Sequence, residues 1–197
     1  MKNDKGPDTK VDIVKKAIWF AGEKHKGQVR KFAKTPYIFH PFSVVKILVE
    51  VTGDPAVLAA GLLHDTLEDT QTTYVELVGE FGEEVAKLVD AVTEQDKSLV
   101  WEARKLKAVE HLREGNEKSW LIKAADMTDN LTSLNRLLQE HGTKEVMKCF
   151  GAPLSAQLKM SLKFYGALQE LWSANPLLSN LAAEIKKLAN FVPPCHC

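Results

Sequence analysis

Apolar side chains recur three and four positions apart along nearly the whole chain. Nowhere do they alternate with period two over the length of a strand, so the pattern predicts helices throughout. Val14, Ala17, Ile18 and Ala21 share one face of a first helix, which Thr9 can cap with Asp12 three residues on and which ends near Gly27. A basic loop, 28–37, follows and is broken by Pro36. Pro41 opens a second helix carrying Val44, Val45 and Leu48. Gly53-Asp54-Pro55 reads as a stop, a cap and a first-turn proline, so a third helix is expected from Pro55 to about Asp69. Thr73 and Glu76 have capping-box spacing and start a short helix toward Gly79; Gly82 separates it from a helix over 83–92. Beyond a loop at 94–99, helices are predicted over 101–114, 120–140, 155–172 and 177–190. Trp19, Trp101, Trp120 and Trp172 are read as core or rim packing.

This is the pattern of an all-α single domain over 9–190, between a flexible N-terminal stretch, 1–8, and a C-terminal tail, 191–197. A length of 197 residues with 45% hydrophobic residues supports one sizeable core. Lys plus Arg and Asp plus Glu balance at 26 each, which argues against a general nucleic-acid or membrane binder. The balance is uneven locally. Between Lys10 and Lys34 stand Lys10, Lys15, Lys16, Lys24, Lys26, Arg30, Lys31 and Lys34 against only Asp12 and Glu23, a region suited to facing an anion. No run approaches the roughly 20 apolar residues of a membrane span, and the polar MKNDKGPDTK start lacks the apolar segment of a leader. Three cysteines, Cys149, Cys195 and Cys197, do not make a disulfide framework, so a cytoplasmic setting is expected. The adjacent Cys195-His196-Cys197 lacks the second ligand pair of a zinc site.

The chemistry gathers in GLLHDTLEDT, 61–70. On one continuous helix His64 neighbours Glu68, and Asp65 neighbours Asp69, while Leu62, Leu63 and Leu67 face the core. Three carboxylates and an imidazole at that density repel one another unless a cation lies among them. His64 and Asp65 supply two ligands only. His40, at the entry of the second helix, and Asp126, inside the apolar run after Lys123, are polar groups where burial is expected, and burial demands a partner. A His, His, Asp, Asp set suits manganese, iron or zinc better than calcium or magnesium.

In this order the residues resemble the H…HD…D signature of the HD-domain metal-dependent phosphohydrolases. Further motifs narrow the resemblance. Ala21 to Lys31 (AGEKHKGQVRK) is similar to A…H-x-G-Q-x-R-K, Pro36 to Pro41 (PYIFHP) to P-Y-I-x-H-P, and Leu62 to Thr70 to L-L-H-D-x-x-E-D-T. Phe81-Gly82 with VDAVT (89–93) resembles F-G…V…L-V…V-T, and Lys123 to Asp126 with Asn130 resembles K-x-A-D-x-x-x-N. Such motifs belong to the hydrolase domain of RelA/SpoT proteins and to the stand-alone small alarmone hydrolases of the Mesh1 group.

The resemblance implies an HD-domain helical bundle and a manganese (Mn2+) hydrolase that takes the 3′-pyrophosphate from guanosine tetra- or pentaphosphate. By motif, His40, His64, Asp65 and Asp126 would hold the metal, Glu68 and Asp69 would form the catalytic acid–base pair, and Arg30, Lys31 and Asn130 would bind the nucleotide. The synthetase domain of the longer members has no room in this length, so hydrolysis alone is implied. The chain departs from the family pattern at Met127-Thr128-Asp129, where a cation, a leucine and an aromatic or histidine are usual, and the 94–99 loop is shifted in register. Two other readings therefore stay open: the same chemistry on another phosphorylated nucleotide such as NADPH, and a non-catalytic nucleotide sensor.

Overall fold

The all-α expectation is met. The structure, a computed structural model, describes residues 9–94 and 96–193, with side chains from residue 13 onward. Its helices are α1 (Thr9–Lys24), α2 (Phe39–Leu48), α3 (Pro55–Leu63), α4 (Thr66–Asp69), α5 (Tyr74–Asp90), α6 (Trp101–Leu112), α7 (Glu117–His141), α8 (Thr143–Val146), α9 (Leu154–Leu171) and α10 (Leu178–Ala189). A 3₁₀ turn, Met147–Cys149, follows α8. Among the described residues there is no strand, only one antiparallel bridge between Val29 and Pro36 that pinches the basic loop. No helix there is long and apolar enough to cross a membrane. The Thr9–Asp12 cap, residues 1–8 and Cys195-His196-Cys197 lie outside what is described.

The bundle is organised around α3. Its sequence, PAVLAAGLL, has no polar face, and seven of its nine residues are buried. A helix apolar on every side must be covered on every side, and α1, α2, α5 and α7 all pack against it. Asp54 caps it by accepting from the Ala56 N–H at 2.9 Å, with Pro55 at the first position. α7, the longest helix, starts from a capping box between Asn116 and Ser119 and also packs against α2 and α10. The site residues of α2, α3 and α7 are thus carried by three helices in mutual contact.

Close packing here has a testable cost. A Cβ added at Gly61 would lie 2.6 Å from Leu48 Cδ1, and Leu48 is itself fully buried. Gly61→Ala gains up to about 1 kcal/mol of helix propensity but overpacks a filled core, at about 1–3 kcal/mol. A net loss of a few degrees in Tm is expected by calorimetry, and an unchanged or higher Tm would contradict this packing.

Several boundaries differ from the sequence reading. α2 begins at Phe39 rather than Pro41, and α5 runs through Gly79 to kink at Gly82, whose φ of +82° only glycine adopts easily. Trp19 is 75% exposed and is not part of the core, while Trp101, Trp120 and Trp172 pack on it. His25 is buried against Tyr37. The largest correction concerns the third helix, which does not run on to Asp69. It stops at Leu63, and α4 starts at Thr66. The cause is local competition for carbonyls. His64 Nδ1–H donates to the Gly61 carbonyl at 2.8 Å and Thr66 Oγ1 to the Leu63 carbonyl at 2.6 Å. Side chains thereby take two acceptors that continuation of the helix would use.

Candidate metal centre

The break at His64-Asp65 decides where these side chains point. On a continuous helix His64 would lie beside Glu68. Instead it faces His40, with the two Nε2 atoms 3.2 Å apart and the rings edge to face. Asp65 Oδ2 lies 3.0 Å from His64 Nε2 and 3.6 Å from His40 Nε2. His40, His64 and Asp65 offer ligand atoms that all lie within 4.8 Å of one another. Asp126 joins through the histidines, its Oδ1 3.3 Å from His40 Nε2 and 3.6 Å from His64 Nε2. The four residues expected to converge do so, from the start of α2, the end of α3 and the middle of α7.

The groups behind them fix which atoms face inward. His40 Nδ1–H donates to Asp129 Oδ2 at 2.6 Å, and His64 Nδ1–H donates to the Gly61 carbonyl. Both imidazoles therefore present Nε2 to the cluster. The Tyr37 hydroxyl donates to Asp65 Oδ2 at 2.5 Å. Lys123 Nζ donates to Asp126 Oδ2 at 3.0 Å, and Asn130 Nδ2 donates to Asp126 Oδ1 at 2.6 Å.

The titration directions say the same. Burial opposes charge on His64, but Asp65 and Asp126 hold its pKa well above the ordinary value; His40 is raised against burial by Asp126 and Asp129. Burial likewise opposes ionisation of Asp65, yet His64 and then His40 hold that carboxyl well below the carboxylate range. For Asp126, burial is overcome by Lys123 and the two histidines. The Asp65 and Asp126 carboxylates thus draw positive charge onto two imidazole nitrogens 3.2 Å apart. A divalent cation satisfies all four groups at once, displacing those protons. The donor set fits such an ion, and imidazole nitrogens favour a transition metal.

Glu68 and Asp69, expected by motif to form an acid–base pair, differ in their surroundings. Glu68 Oε2 accepts the Glu94 N–H at 3.3 Å. Burial, and then the charges of Glu94, Asp65 and Asp69, push the Glu68 carboxyl up to about 7. Asp69 is more exposed and pairs with Lys97 at 2.6 Å. Its backbone carbonyl accepts from Gln28 Nε2 at 2.7 Å, and Gln28 in turn accepts from His25 Nδ1–H at 2.8 Å. Arg30 turns inward: Nη2 donates to Asn130 Oδ1 at 3.1 Å and lies 4.0 Å from Asp129 Oδ2. Lys31 is exposed. Asn130, expected on the nucleotide, is held at both ends of its amide between Asp126 and Arg30.

Glu94 is a residue the sequence reading did not single out. It is a 6% exposed carboxylate on what reads as a polar loop. Arg104 Nε donates to it at 2.6 Å, and Lys105 is bonded to its other oxygen. Burial opposes its ionisation, but Lys105, Lys123 and Arg104 hold it below the ordinary glutamate value. Its charge is thereby maintained beside Glu68. Both nearest partners lie ten and eleven residues on, in α6, a distance no local pattern reports.

Residues 17–158 match the HD domain family. The chain belongs to that family. Among its relatives, guanosine-3′,5′-bis(diphosphate) 3′-pyrophosphohydrolase MESH1 of Xenopus tropicalis is 46% identical over 131 residues, which cover 65% of this chain and 73% of that protein. A GTP pyrophosphokinase of Myxococcus xanthus is 37% identical over 79% of this chain, which spans only 22% of that longer protein. A solved structure of a metazoan ortholog of SpoT, described as hydrolysing ppGpp and acting in starvation responses, superposes with a TM-score of 0.74 at 31% identity. That similarity covers 95% of this chain and 99% of the other.

Proposed function

We propose that the chain is a manganese-dependent hydrolase that removes the 3′-pyrophosphate from guanosine 3′,5′-bis(diphosphate) and the corresponding pentaphosphate. The observation that carries this reading is the convergence of His40 and His64 Nε2 with the Asp65 and Asp126 carboxylates, beside a glutamate raised to about 7. The similarity to the MESH1 relatives, which extends over most of their length, supports the substrate.

His40, His64, Asp65 and Asp126 hold the metal in this reading. A divalent ion supplies Lewis-acid stabilisation of phosphoryl charge and eases deprotonation of water. Glu68, titrating near neutrality, can take or return a proton at working pH, which is where general acid–base catalysis is most effective. Asp69, fixed by Lys97 and a turn beyond Asp65, pairs with it in proton transfer. Arg30 and Lys31 meet the phosphates from the basic loop, Arg30 through its planar fork. Asn130 keeps Arg30 registered to Asp126. The sparse cysteines suit a reducing, cytoplasmic setting for this activity.

The test is direct. Purified chain with Mn2+ and guanosine tetraphosphate is expected to release guanosine diphosphate and pyrophosphate, and chelation is expected to stop it. No release from a chain shown to bind Mn2+ would overturn the substrate. A preference for NADPH across a nucleotide panel would reassign it.

A further inference from the structure

We propose that Asp129 is a positioning residue of the metal centre, acting through His40. The inference rests on the metal-site assignment above and adds a residue that the metal motif itself does not contain.

The two imidazoles of the cluster are backed differently. His64 Nδ1–H is received by a neutral acceptor, the Gly61 carbonyl, through its own helix turn. His40 has no such arrangement, because it stands in the first turn of α2, where the carbonyls one turn back belong to the basic loop. Its Nδ1–H is received by the Asp129 carboxylate from another helix, at 2.6 Å. Asp129 lies three residues beyond Asp126 on α7, so both project from one face of that helix. One turn of α7 thus supplies a ligand to the cluster and the group that orients another ligand. The His40 side chain is only 1% exposed, so water does not compete for Nδ1.

The chemical consequences follow from the acceptor. A carboxylate on Nδ1–H keeps the proton on that nitrogen, leaves the Nε2 lone pair directed at Asp65, Asp126 and His64, and makes the imidazole a stronger donor to a metal. It also adds negative charge just outside the cluster. The same oxygen, Oδ2, lies 4.0 Å from Arg30 Nη2. Asp129 is therefore a point at which the orientation of a metal ligand and the position of the phosphate-binding arginine meet. This is also where the chain departs from the motif it otherwise follows.

The experiment is a calorimetric Mn2+ titration of the full chain and its variants, with circular dichroism confirming the fold. Asp129→Ala is expected to weaken Mn2+ binding about 10- to 100-fold. Asp129→Asn retains an oxygen that can accept from Nδ1–H but not the charge, and is expected to bind Mn2+ more tightly than Asp129→Ala and more weakly than the unmodified chain. Equal binding by Asp129→Ala and the unmodified chain overturns the proposal, as does an Asn variant as weak as the Ala variant. If Asp129→Ala does not fold, the His40 Nδ1–H proton of the Zn2+-loaded unmodified chain decides by NMR: a strong downfield shift and slow exchange with water, as a bond to a carboxylate requires, support the proposal, and rapid exchange with water overturns it. Failure of the site assignment looks different, since Mn2+ would then bind the unmodified chain and its His64→Ala variant alike.

Discussion

His64→Ala is expected to yield a folded chain that has lost both manganese and turnover. Its Nε2 stands close to both His40 Nε2 and Asp65 Oδ2, at 3.2 and 3.0 Å. Without it the cation keeps one imidazole and two carboxylates, a poorer set for a transition metal. Metal assistance is worth several kcal/mol of transition-state stabilisation, so the rate is expected to fall by about a thousandfold or more. The backbone has a ready adjustment. The Gly61 carbonyl, released from Nδ1–H, becomes available to the Asp65 N–H one helical turn on. Elemental analysis for manganese, circular dichroism and the release assay together check this. Metal-dependent turnover surviving in the variant would remove His64 from the centre.

Glu68→Gln is expected to do the opposite to metal and stability while also removing activity. The substitution leaves every ligand in place, so metal content stays, but a glutamine amide cannot exchange a proton. A loss of about 10²- to 10⁴-fold in rate is expected. Stability moves with pH in a defined direction. The Glu68 carboxyl goes from about 4.5 when unfolded to about 7 in the fold, so the folded chain holds that proton more tightly. The associated stability is complete below about pH 4.5 and is lost progressively as pH rises to about 7. Glutamine does not ionise and escapes that loss. The metal-free variant is therefore expected to melt roughly 2–4 °C above the unmodified chain at about pH 8, reflecting on the order of 1 kcal/mol after allowance for partial exposure. The two are expected to melt alike at about pH 4. A variant that is no more stable at the higher pH would show that Glu68 is not strained by its neighbours; one that loses its metal would place Glu68 among the ligands.

The helices were legible because a single-core α-protein writes its buried faces into the chain at the helical period of about 3.6. PAVLAAGLL reads as an apolar helical run, and Asp54-Pro55 marked its start. The candidate ligands were legible for a related reason: His40 and Asp126 are polar residues placed where the pattern demands burial. What could not be read was set by contacts between distant elements. The end of α3 depends on which carbonyls His64 and Thr66 choose, and the periodicity continues past that choice. Glu94 looks like a loop residue until Arg104 and Lys105 come back over it. Asp129 was visible only as an acid beside the pocket, since its bond to His40 spans 89 positions. Asn130 was expected on the nucleotide by motif, and its bond to Arg30 spans 100 positions, beyond any local pattern.

The unbroken apolar girth of α3 has a consequence for how such a protein can change over time. A helix buried on all sides tolerates little substitution, and its buried end at Leu62-Leu63 leads directly into His64 and Asp65. Arg30, Lys31 and Lys97, by contrast, stand on connecting segments, where insertions and exchanges are absorbed most easily. The molecule therefore divides into an inherited reaction and a negotiable clientele: drift at the rim can retune which phosphate ester is admitted, while the chemistry performed on it is anchored to the same residues that make the chain fold.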